Sequence, residues 1–249
     1  MSEENDSISV KKGDIWKYST FVLIALVIVG GFFVLSNNSP TNNAVNTGNA
    51  GATAGAASDL SIITENPSLF PSLGPENAKH VVLEFSDFQC PYCGMASGLP
   101  SWTSQYVSQY GDLIGSAGKV QEMAEKGEVR FIYVSMSFLG QESVYAAQAG
   151  LCANKQGKFW EMHDEIFKAS TGPQENDGRY SKENLKNIAK KVSGLDTGKF
   201  NSCLDNDETL SDVQQAASIA GQFASGTPTF YVDGRQVSAS WTQLSSLLN

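Results

Sequence analysis

One short stretch, VVLEFSDFQCPYC, constrains the fold of this 249-residue chain more than any other. In it an apolar, β-type run ending at Phe85 leads through a polar turn to Cys90 and Cys93, and helix-forming residues follow. Two cysteines separated by two residues at a strand-to-helix turn close a disulfide by oxidation and reopen it by exchange. The stretch therefore predicts redox chemistry at such a turn.

The two cysteines have different predicted roles. Cys90 lies at the start of the helix, where unpaired backbone N–H groups and the positive end of the helix dipole stabilise a thiolate. Pro91 suits the first helical position, because its missing N–H would be unpaired there anyway. Cys93, one turn further on, is placed to attack a mixed disulfide at Cys90. We therefore predict that Cys90 is the nucleophile, Cys93 the resolving thiol, and Tyr92 an exposed residue at the substrate surface.

The remaining cysteines and the histidines decide whether the chain could hold a zinc ion or a second disulfide. Half of a zinc site is the main alternative for a close cysteine pair. Cys152 and Cys203 are single and far apart, however, and the chain has only two histidines, so we predict neither a metal nor another cofactor. In an oxidising compartment Cys152 and Cys203 most often pair, but two buried thiols or a relay to the active pair remain alternatives.

The N-terminal residues predict a membrane anchor. Residues 18–36 carry no charge and are largely apolar, and as a helix at about 1.5 Å per residue they span roughly 28 Å, near the ~30 Å hydrocarbon core. A cleaved signal peptide, which would release a secreted or periplasmic protein, is the alternative, but no small-residue cleavage site follows directly. Positive charge lies on the N-terminal side only, so residues 1–17 are predicted to be cytoplasmic. Residues 37–59, rich in Asn, Gly and Ala, predict a flexible linker.

The rest of the chain predicts an α/β domain over residues 60–249, with helices inserted in the middle. Its net charge of −9, taken over the whole chain, argues against a nucleic-acid partner, which would require a basic surface. The predicted elements are strands at 79–85 and 129–136, helical stretches at 95–110, 119–126, 141–168, 181–194 and 208–224, a hairpin at 229–237 and a last helix at 240–248.

Two features near the cysteines each have two interpretations. Glu84 is the only charged residue in its strand. On a central strand it would be buried, with a raised pKa, and would take the proton of Cys93, whereas on an edge strand it would face solvent. Pro228 precedes a strand, and most X-Pro bonds are trans. A cis bond would place a loop beside the cysteines and leave the Thr227 backbone free to pair with an extended substrate chain.

Four groups of residues together resemble the DsbA-like branch of the thioredoxin superfamily. They are the sequence VLEF before Cys-Pro-Tyr-Cys, the segment AAQA with Cys152 and then QGKFWEMHD, Phe200 with Cys203 and Leu204, and SGTPTF with Asp233-Gly234. The resemblance runs in order from about residue 81 to residue 237.

This resemblance implies a thioredoxin fold with a helical domain inserted at about residues 138–224. It also implies a surface-exposed Cys90, a buried acid at Glu84, a cis Pro228 and a Cys152–Cys203 disulfide. Members of the family donate disulfides to reduced exported proteins and are reoxidised by a quinone-linked membrane partner. The chain departs from the family's strongest oxidants at Tyr92, where they carry His, and in residues 111–126, which form a longer stretch than the resemblance leads us to expect.

We therefore predict a membrane-tethered thiol–disulfide oxidoreductase, with its catalytic domain outside the cytoplasm, that introduces disulfides into exported proteins. A reductase or isomerase is the first alternative. A low pKa of Cys90 favours an oxidant and a near-neutral one a reductant, and the neutral phenol of Tyr92 stabilises the thiolate less than a cationic imidazole would. The second alternative is a redox-inert module that binds extended chains.

Overall fold

The computed structural model describes residues 59–249. The predicted cytoplasmic segment, the predicted anchor at residues 18–36 and all but the last residue of the predicted linker lie outside the described residues. Within residues 59–249, no helix combines the length and the apolar character needed to cross a bilayer.

The sheet in this part of the chain is mixed, with strand order β1-β3-β2-β4-β5. The strands are β1 (Ser72–Leu73), β2 (Val81–Ser86), β3 (Arg130–Ser135), β4 (Thr229–Val232) and β5 (Arg235–Val237). β2 is the central strand, parallel to β3 and antiparallel to β4. Its continuous apolar run is buried because both faces of the sheet are covered by helices, as expected for such a strand. The α/β prediction is thus confirmed.

The helices of residues 59–249 lie on both faces of the sheet and in a block between β3 and β4. They are α1 (Ser61–Thr64), α2 (Pro91–Ser97), α3 (Val107–Tyr110), α4 (Ser116–Glu125), α5 (Gln141–Asn154), α6 (Phe159–Lys168), α7 (Lys182–Ala189), α8 (Thr197–Asp205), α9 (Leu210–Ala220) and α10 (Trp241–Leu248). Helices α5 to α9 form the block inserted between β3 and β4, and a 3-10 helix, Ser101–Tyr106, precedes α3.

Alternate residues of β2 pack into different parts of the core. Leu83 and Phe85 contribute to the cluster that includes apolar residues of α9. Val82 contributes to the cluster on the other face, with residues of α4 and α10. Because side chains alternate along a strand, Glu84 points to the same side as Val82. The acid therefore faces the side of the sheet that carries the active-site helix α2, whose Ala96 packs in that cluster.

The sequence predicted one continuous helix at residues 95–110, and this prediction is wrong because the helix is interrupted. Helix α2 ends at Ser97, and Gly98 follows it with a left-handed φ of 72°. This is the usual helix-ending conformation for glycine, and Pro100 disfavours helical backbone at Leu99. The chain resumes as the 3-10 helix and α3, and α4 begins at Ser116, three residues before the predicted Lys119.

The predicted hairpin is confirmed. β4 and β5 pair in antiparallel register, with Val232 opposite Arg235. Asp233 and Gly234 have φ values of 48° and 80°, the left-handed conformations that a two-residue hairpin turn of this kind needs. The Asp233 carboxylate also accepts a hydrogen bond of 2.9 Å from the Val81 N–H, which ties the turn to the start of β2.

Candidate functional site

Cys90 and Cys93 lie at the junction between β2 and α2. The Cys90 N–H donates to the Asp87 carbonyl at 3.0 Å, closing the turn after the strand, and Cys90 is the N-terminal capping residue of α2. Pro91 occupies the first helical position, and Tyr92 beside it is 45% exposed. Both thiols are free rather than disulfide-bonded. The strand-to-helix turn thus places two reduced cysteines one helical turn apart.

The expectation of a surface-exposed Cys90 needs correction. Cys90 is only 5% exposed, and Cys93 is fully buried. The reason is the loop before β4, which approaches the helix start. The Cys90 thiol donates a hydrogen bond to the Thr227 carbonyl oxygen, with an Sγ–O distance of 3.5 Å. The sulfur is therefore enclosed by its own helix on one side and by a segment distant in sequence on the other.

The two thiols have opposite pKa shifts. A hydrogen bond that the Cys93 thiol donates is the largest effect on Cys90, and it lowers the pKa of Cys90 from 9.0 to about 7 in spite of burial. Burial raises the pKa of Cys93 well above 9.0, and the nearby Cys90 and Glu84 raise it further. Near neutral pH, Cys90 therefore exists partly as thiolate, whereas Cys93 keeps its proton and donates a hydrogen bond to it.

A group of buried polar side chains surrounds the inner thiol. Glu84 is 1% exposed, which excludes the edge-strand alternative, and burial raises the pKa of its carboxyl to about 8. Tyr133 is its partner across β3, and Ser86 lies two residues further along β2. The Glu84 Oε1, Ser86 Oγ and Tyr133 hydroxyl atoms have no hydrogen-bond partner among the described residues. A carboxyl that keeps its proton at pH 7 thus lies close enough to Cys93 to affect its pKa.

The loop opposite Cys90 contains the two predicted substrate-binding residues. The Thr227–Pro228 peptide bond is cis. The Thr229 hydroxyl donates to the Gly226 carbonyl at 2.8 Å and braces the loop just before β4. Pairing between β2 and β4 ends at Phe85 and Thr229, so the Thr227 backbone lies beyond the sheet. The Thr227 carbonyl oxygen therefore faces the Cys90 sulfur rather than a neighbouring strand.

Cys152 and Cys203 form a disulfide with a Cα–Cα distance of 5.9 Å. Cys152 lies on α5 and Cys203 on α8, so the bond links two helices of the inserted block. Both residues are buried in the same apolar cluster as Cys90 and Cys93. Cys152 and Cys203 are thus disulfide-bonded in this structure, whereas Cys90 and Cys93 are free thiols.

Sequence reasoning missed a buried polar network behind the active-site turn. The fully buried Asp87 carboxylate accepts hydrogen bonds from the Gln89 N–H at 2.9 Å and the Ser143 hydroxyl at 2.6 Å. The Gln89 side chain in turn accepts from the Asn176 N–H at 2.6 Å and donates to Asn176 Oδ1 at 3.2 Å. The network connects the turn that holds Cys90 to the helical block. The available signal was a polar Asp-Phe-Gln turn placed directly before a cysteine pair.

This arrangement is suited to two-electron thiol–disulfide exchange. Cys90 ionises most readily, Cys93 lies beside it, and Glu84 holds a proton nearby. Among residues 59–249, no group of three or more His, Cys, Asp and Glu side chains is placed to hold a metal ion.

Comparison with known proteins shows the family to which the chain is similar. The sequence profile of the thioredoxin family matches residues 115–249. A probable disulfide bond formation protein D from Bacillus anthracis is 27% identical over 184 residues, which cover 72% of this chain and 76% of that protein. The profile match begins after Cys93, so the assignment of the two active-site cysteines rests on their geometry.

The chain is also similar to part of a longer protein and to a protein of known structure. A Na⁺/H⁺ antiporter NhaA from Herminiimonas arsenicoxydans is 28% identical over 187 residues, or 74% of this chain, but the chain spans only 26% of the antiporter. A thioredoxin-like oxidoreductase from Silicibacter pomeroyi has a solved structure with a TM-score of 0.57 and 25% identity. That match covers 77% of this chain and 96% of the solved chain.

Proposed function

This chain belongs to the thioredoxin family and is a DsbA-like protein disulfide oxidoreductase, and we propose that it introduces disulfide bonds into reduced proteins exported from the cytoplasm. The observation that carries the proposal is the opposite pKa shift of Cys90 and Cys93 within one helical turn. It makes Cys90 the sulfur that substrates exchange with and Cys93 the internal partner. The similarity to disulfide bond formation protein D supports the oxidising direction.

The reaction consists of two exchanges. A substrate thiolate attacks the Cys90 sulfur of the oxidised pair, the Cys90–Cys93 bond breaks, and Cys93 leaves with the electron pair. Glu84, protonated at neutral pH, supplies the proton that Cys93 then takes up. A second substrate thiolate attacks the substrate sulfur of the mixed disulfide and releases Cys90 as a thiolate. The substrate loses two electrons, the enzyme gains them, and the lowered pKa of Cys90 makes it a good leaving group.

The remaining predicted residues hold the substrate and the helix start. Pro91 begins α2 without leaving an unpaired N–H, and Tyr92 contacts the substrate beside Cys90. Thr227, held next to the sulfur by the cis Pro228, pairs through its backbone with an extended substrate chain. The Cys152–Cys203 bond keeps the helical block at residues 138–224 closed and takes no part in exchange.

The proposed setting is the outer side of a membrane. Residues 18–36 anchor the chain, residues 1–17 remain in the cytoplasm, and the linker at 37–59 holds the thioredoxin-like domain at 60–249 near the bilayer. There a quinone-linked membrane protein accepts two electrons from the reduced pair and restores the disulfide. Deleting residues 1–36 should release the protein from alkali-washed membranes, and a deleted protein that stayed in the membrane fraction would contradict the anchor.

The reduction potential of the Cys90–Cys93 pair tests the direction of the reaction. The purified protein is equilibrated with glutathione buffers, and the oxidised fraction is measured by alkylation and mass. An oxidant or isomerase is expected at about −120 to −180 mV, whereas a value near −270 mV, as in thioredoxin, would overturn disulfide donation. Cys90→Ser should abolish exchange and Cys93→Ser should accumulate mixed disulfides with substrates. Full activity in Cys90→Ser would contradict the site itself.

One observation favours a second candidate, a disulfide reductase or isomerase. The pKa of Cys90 is lowered only to about 7, which is closer to thioredoxin, at about 7, than to DsbA, at about 3.5. None of the main groups that set this pKa is cationic in the described part of the chain. Refolding of a protein with scrambled disulfides separates the candidates, because an isomerase rescues it without added oxidant and a disulfide donor does not.

A further inference from the structure

Ser86 is a fully buried serine on β2, two residues after Glu84. Because side chains alternate along a strand, the Ser86 and Glu84 side chains lie on the same face of the sheet. Tyr133 is opposite Glu84 in the parallel register of β2 and β3, so its side chain lies on that face as well. The Tyr133 ring belongs to the same buried cluster as Cys93. A hydroxyl, a carboxyl, a phenol and the inner thiol thus share one buried region.

The Ser86 hydroxyl is close to all three of the other groups. Burial raises the pKa values of Glu84, Cys93 and Tyr133, and the Ser86 hydroxyl opposes that rise in each case by hydrogen bonding. The Ser86 backbone is fixed, because the Met136 N–H donates to its carbonyl oxygen at 2.9 Å. The Ser86 Oγ atom itself has no well-formed hydrogen bond within residues 59–249. The hydroxyl is therefore not held by one neighbour and can turn from one to another.

Glu84 and Ser86 act on the inner thiol in different ways. Burial is the main cause of the raised pKa of Cys93; Glu84 adds to it through its charge, whereas Ser86 opposes it through a hydrogen bond. The Glu84 Oε1 atom has no hydrogen-bond partner in the described part of the chain. A proton is transferred between groups within hydrogen-bond reach, or through one intervening group. A serine hydroxyl suits that intermediate position, because it can accept a proton while giving up its own.

We propose that the Ser86 hydroxyl relays the proton between Glu84 and Cys93. Tyr133 is a positioning residue that holds the Ser86 hydroxyl by hydrogen bonding. The inference rests on the proposed function and adds a residue to its first exchange. When the Cys90–Cys93 bond breaks, the Cys93 thiolate takes the hydroxyl proton of Ser86, and the Glu84 carboxyl gives its proton to the Ser86 oxygen. Ser86 ends unchanged, Glu84 carries the negative charge, and the reverse reaction returns the proton along the same atoms.

The groups around Glu84 make its carboxyl the one whose ionisation controls the relay. In the oxidised protein Cys90 and Cys93 are bonded to each other and do not titrate. Tyr133 keeps its proton, because burial raises its pKa well above 10.0. The residue opposite Glu84 on β4 is Phe230, which has no charge. The titratable side chains that face Glu84 or Tyr133 from the active-site helix, the neighbouring strand, the turn after β2 and the helical block are Cys90, Cys93, Tyr133, Asp87 and His163.

The test measures how fast dithiothreitol reduces the oxidised full-length protein, with each rate divided by the thiolate fraction of the reagent. The wild-type rate should fall as the pH rises through about 8, where Glu84 loses its proton. Ser86→Ala should be about 100-fold slower than wild type at pH 6. It should also lack the fall near pH 8, because the proton of Glu84 no longer reaches Cys93. Ser86→Thr, which keeps a hydroxyl, should recover part of the rate.

Ser116→Ala is the matched control. Ser116 on α4 is also fully buried, and its hydroxyl also has no hydrogen-bond partner among the described residues, so the variant should react like wild type. In a Glu84→Gln background, Ser86→Ala should have no further effect, because there is no carboxyl proton to relay. Tyr133→Phe should slow wild type by a smaller factor than Ser86→Ala does, and should not slow the Ser86→Ala variant further.

A loss of rate from Ser86→Ala that is equal in wild type and in Glu84→Gln would overturn the proposal, because it would show a purely structural effect. A wild-type rate for Ser86→Ala at pH 6 would overturn it as well. A relay changes rates and not the equilibrium, so the reduction potential of Ser86→Ala should stay close to that of wild type. A shift large enough to account for the lost rate would assign Ser86 to the stability of one redox form and reject the relay. The oxidising direction is tested separately, by the wild-type potential, which these rate ratios do not measure.

Discussion

The buried carboxyl of Glu84 predicts a pH-dependent stability that one substitution removes. Burial raises the pKa of Glu84 from 4.5 to about 8. Because the folded protein holds this proton more tightly than the unfolded chain, the free energy of unfolding falls as the pH rises from about 4.5 to about 8 and then levels off. At about 1.4 kcal/mol per tenfold change in acidity, the loss reaches roughly 4 to 5 kcal/mol at pH 9. Glu84→Gln has a neutral side chain at every pH and should lack this slope.

Urea unfolding between pH 4 and pH 9 measures the effect directly. The oxidised protein is used so that Cys90 and Cys93 do not titrate. Wild type and Glu84→Gln should be similar at pH 4, and the variant should be more stable by several kcal/mol at pH 9. Glu128→Gln, at an exposed glutamate, serves as the control and should follow the wild type. A difference between Glu84→Gln and wild type that stays constant from pH 4 to pH 9 would refute the argument from burial.

Three further predictions concern the thiols, the buried network and the disulfide. In Cys93→Ala, Cys90 loses the hydrogen bond that lowers its pKa to about 7, so the midpoint of its alkylation by iodoacetamide should move to higher pH; an unmoved midpoint would contradict that role. Gln89→Ala removes the side-chain hydrogen bonds that Gln89 makes to Ser143 and Asn176 and should cost about 2 to 3 kcal/mol in urea unfolding, against less than about 1 kcal/mol if the network is dispensable. Paired replacement Cys152→Ala with Cys203→Ala should cost about 4 kcal/mol, and an unchanged thermal midpoint would argue against a stabilising bond.

The parts of the fold that the sequence predicted correctly are those with local causes. The apolar run of β2 and the Asp233-Gly234 turn carry their information within a few residues, and both occur as predicted. β1 was missed because its two residues, Ser72 and Leu73, have no pattern of their own and form a strand only by pairing with β3. The break after α2 did have a local signal, because a glycine and a proline follow the helix, but the prediction of a continuous helix ignored them.

The residues of the candidate site also fall into those with a local sequence signal and those placed by contacts distant in sequence. The spacing of Cys90 and Cys93 indicated their arrangement because one helical turn is enough to bring them together. Whether Glu84 faced core or solvent depended on β4, which pairs Phe230 with it from far along the chain. The burial of Cys90 likewise comes from Thr227, 137 residues away. Such contacts have no local signature, so the residues alone left two interpretations open.

The direction of electron flow depends on how the two thiolates compare as leaving groups. Cys90, at a pKa of about 7, is roughly half ionised at neutral pH, the condition under which an attacking thiol is most effective. A strong oxidant needs a Cys90 thiolate far more stable than this, and the half-exposed phenol of Tyr92 adds no positive charge towards it. Burial acts in the opposite sense on Cys93, whose raised pKa makes it a poor leaving group unless Glu84 delivers a proton as the bond breaks. The oxidising proposal therefore requires Glu84 to be protonated when substrate attacks. Because the pKa of Glu84 is about 8, the rate of disulfide donation should fall as the pH rises through about 8. A rate that kept rising through that pH, in step with ionisation of the substrate thiol, would favour a reductase.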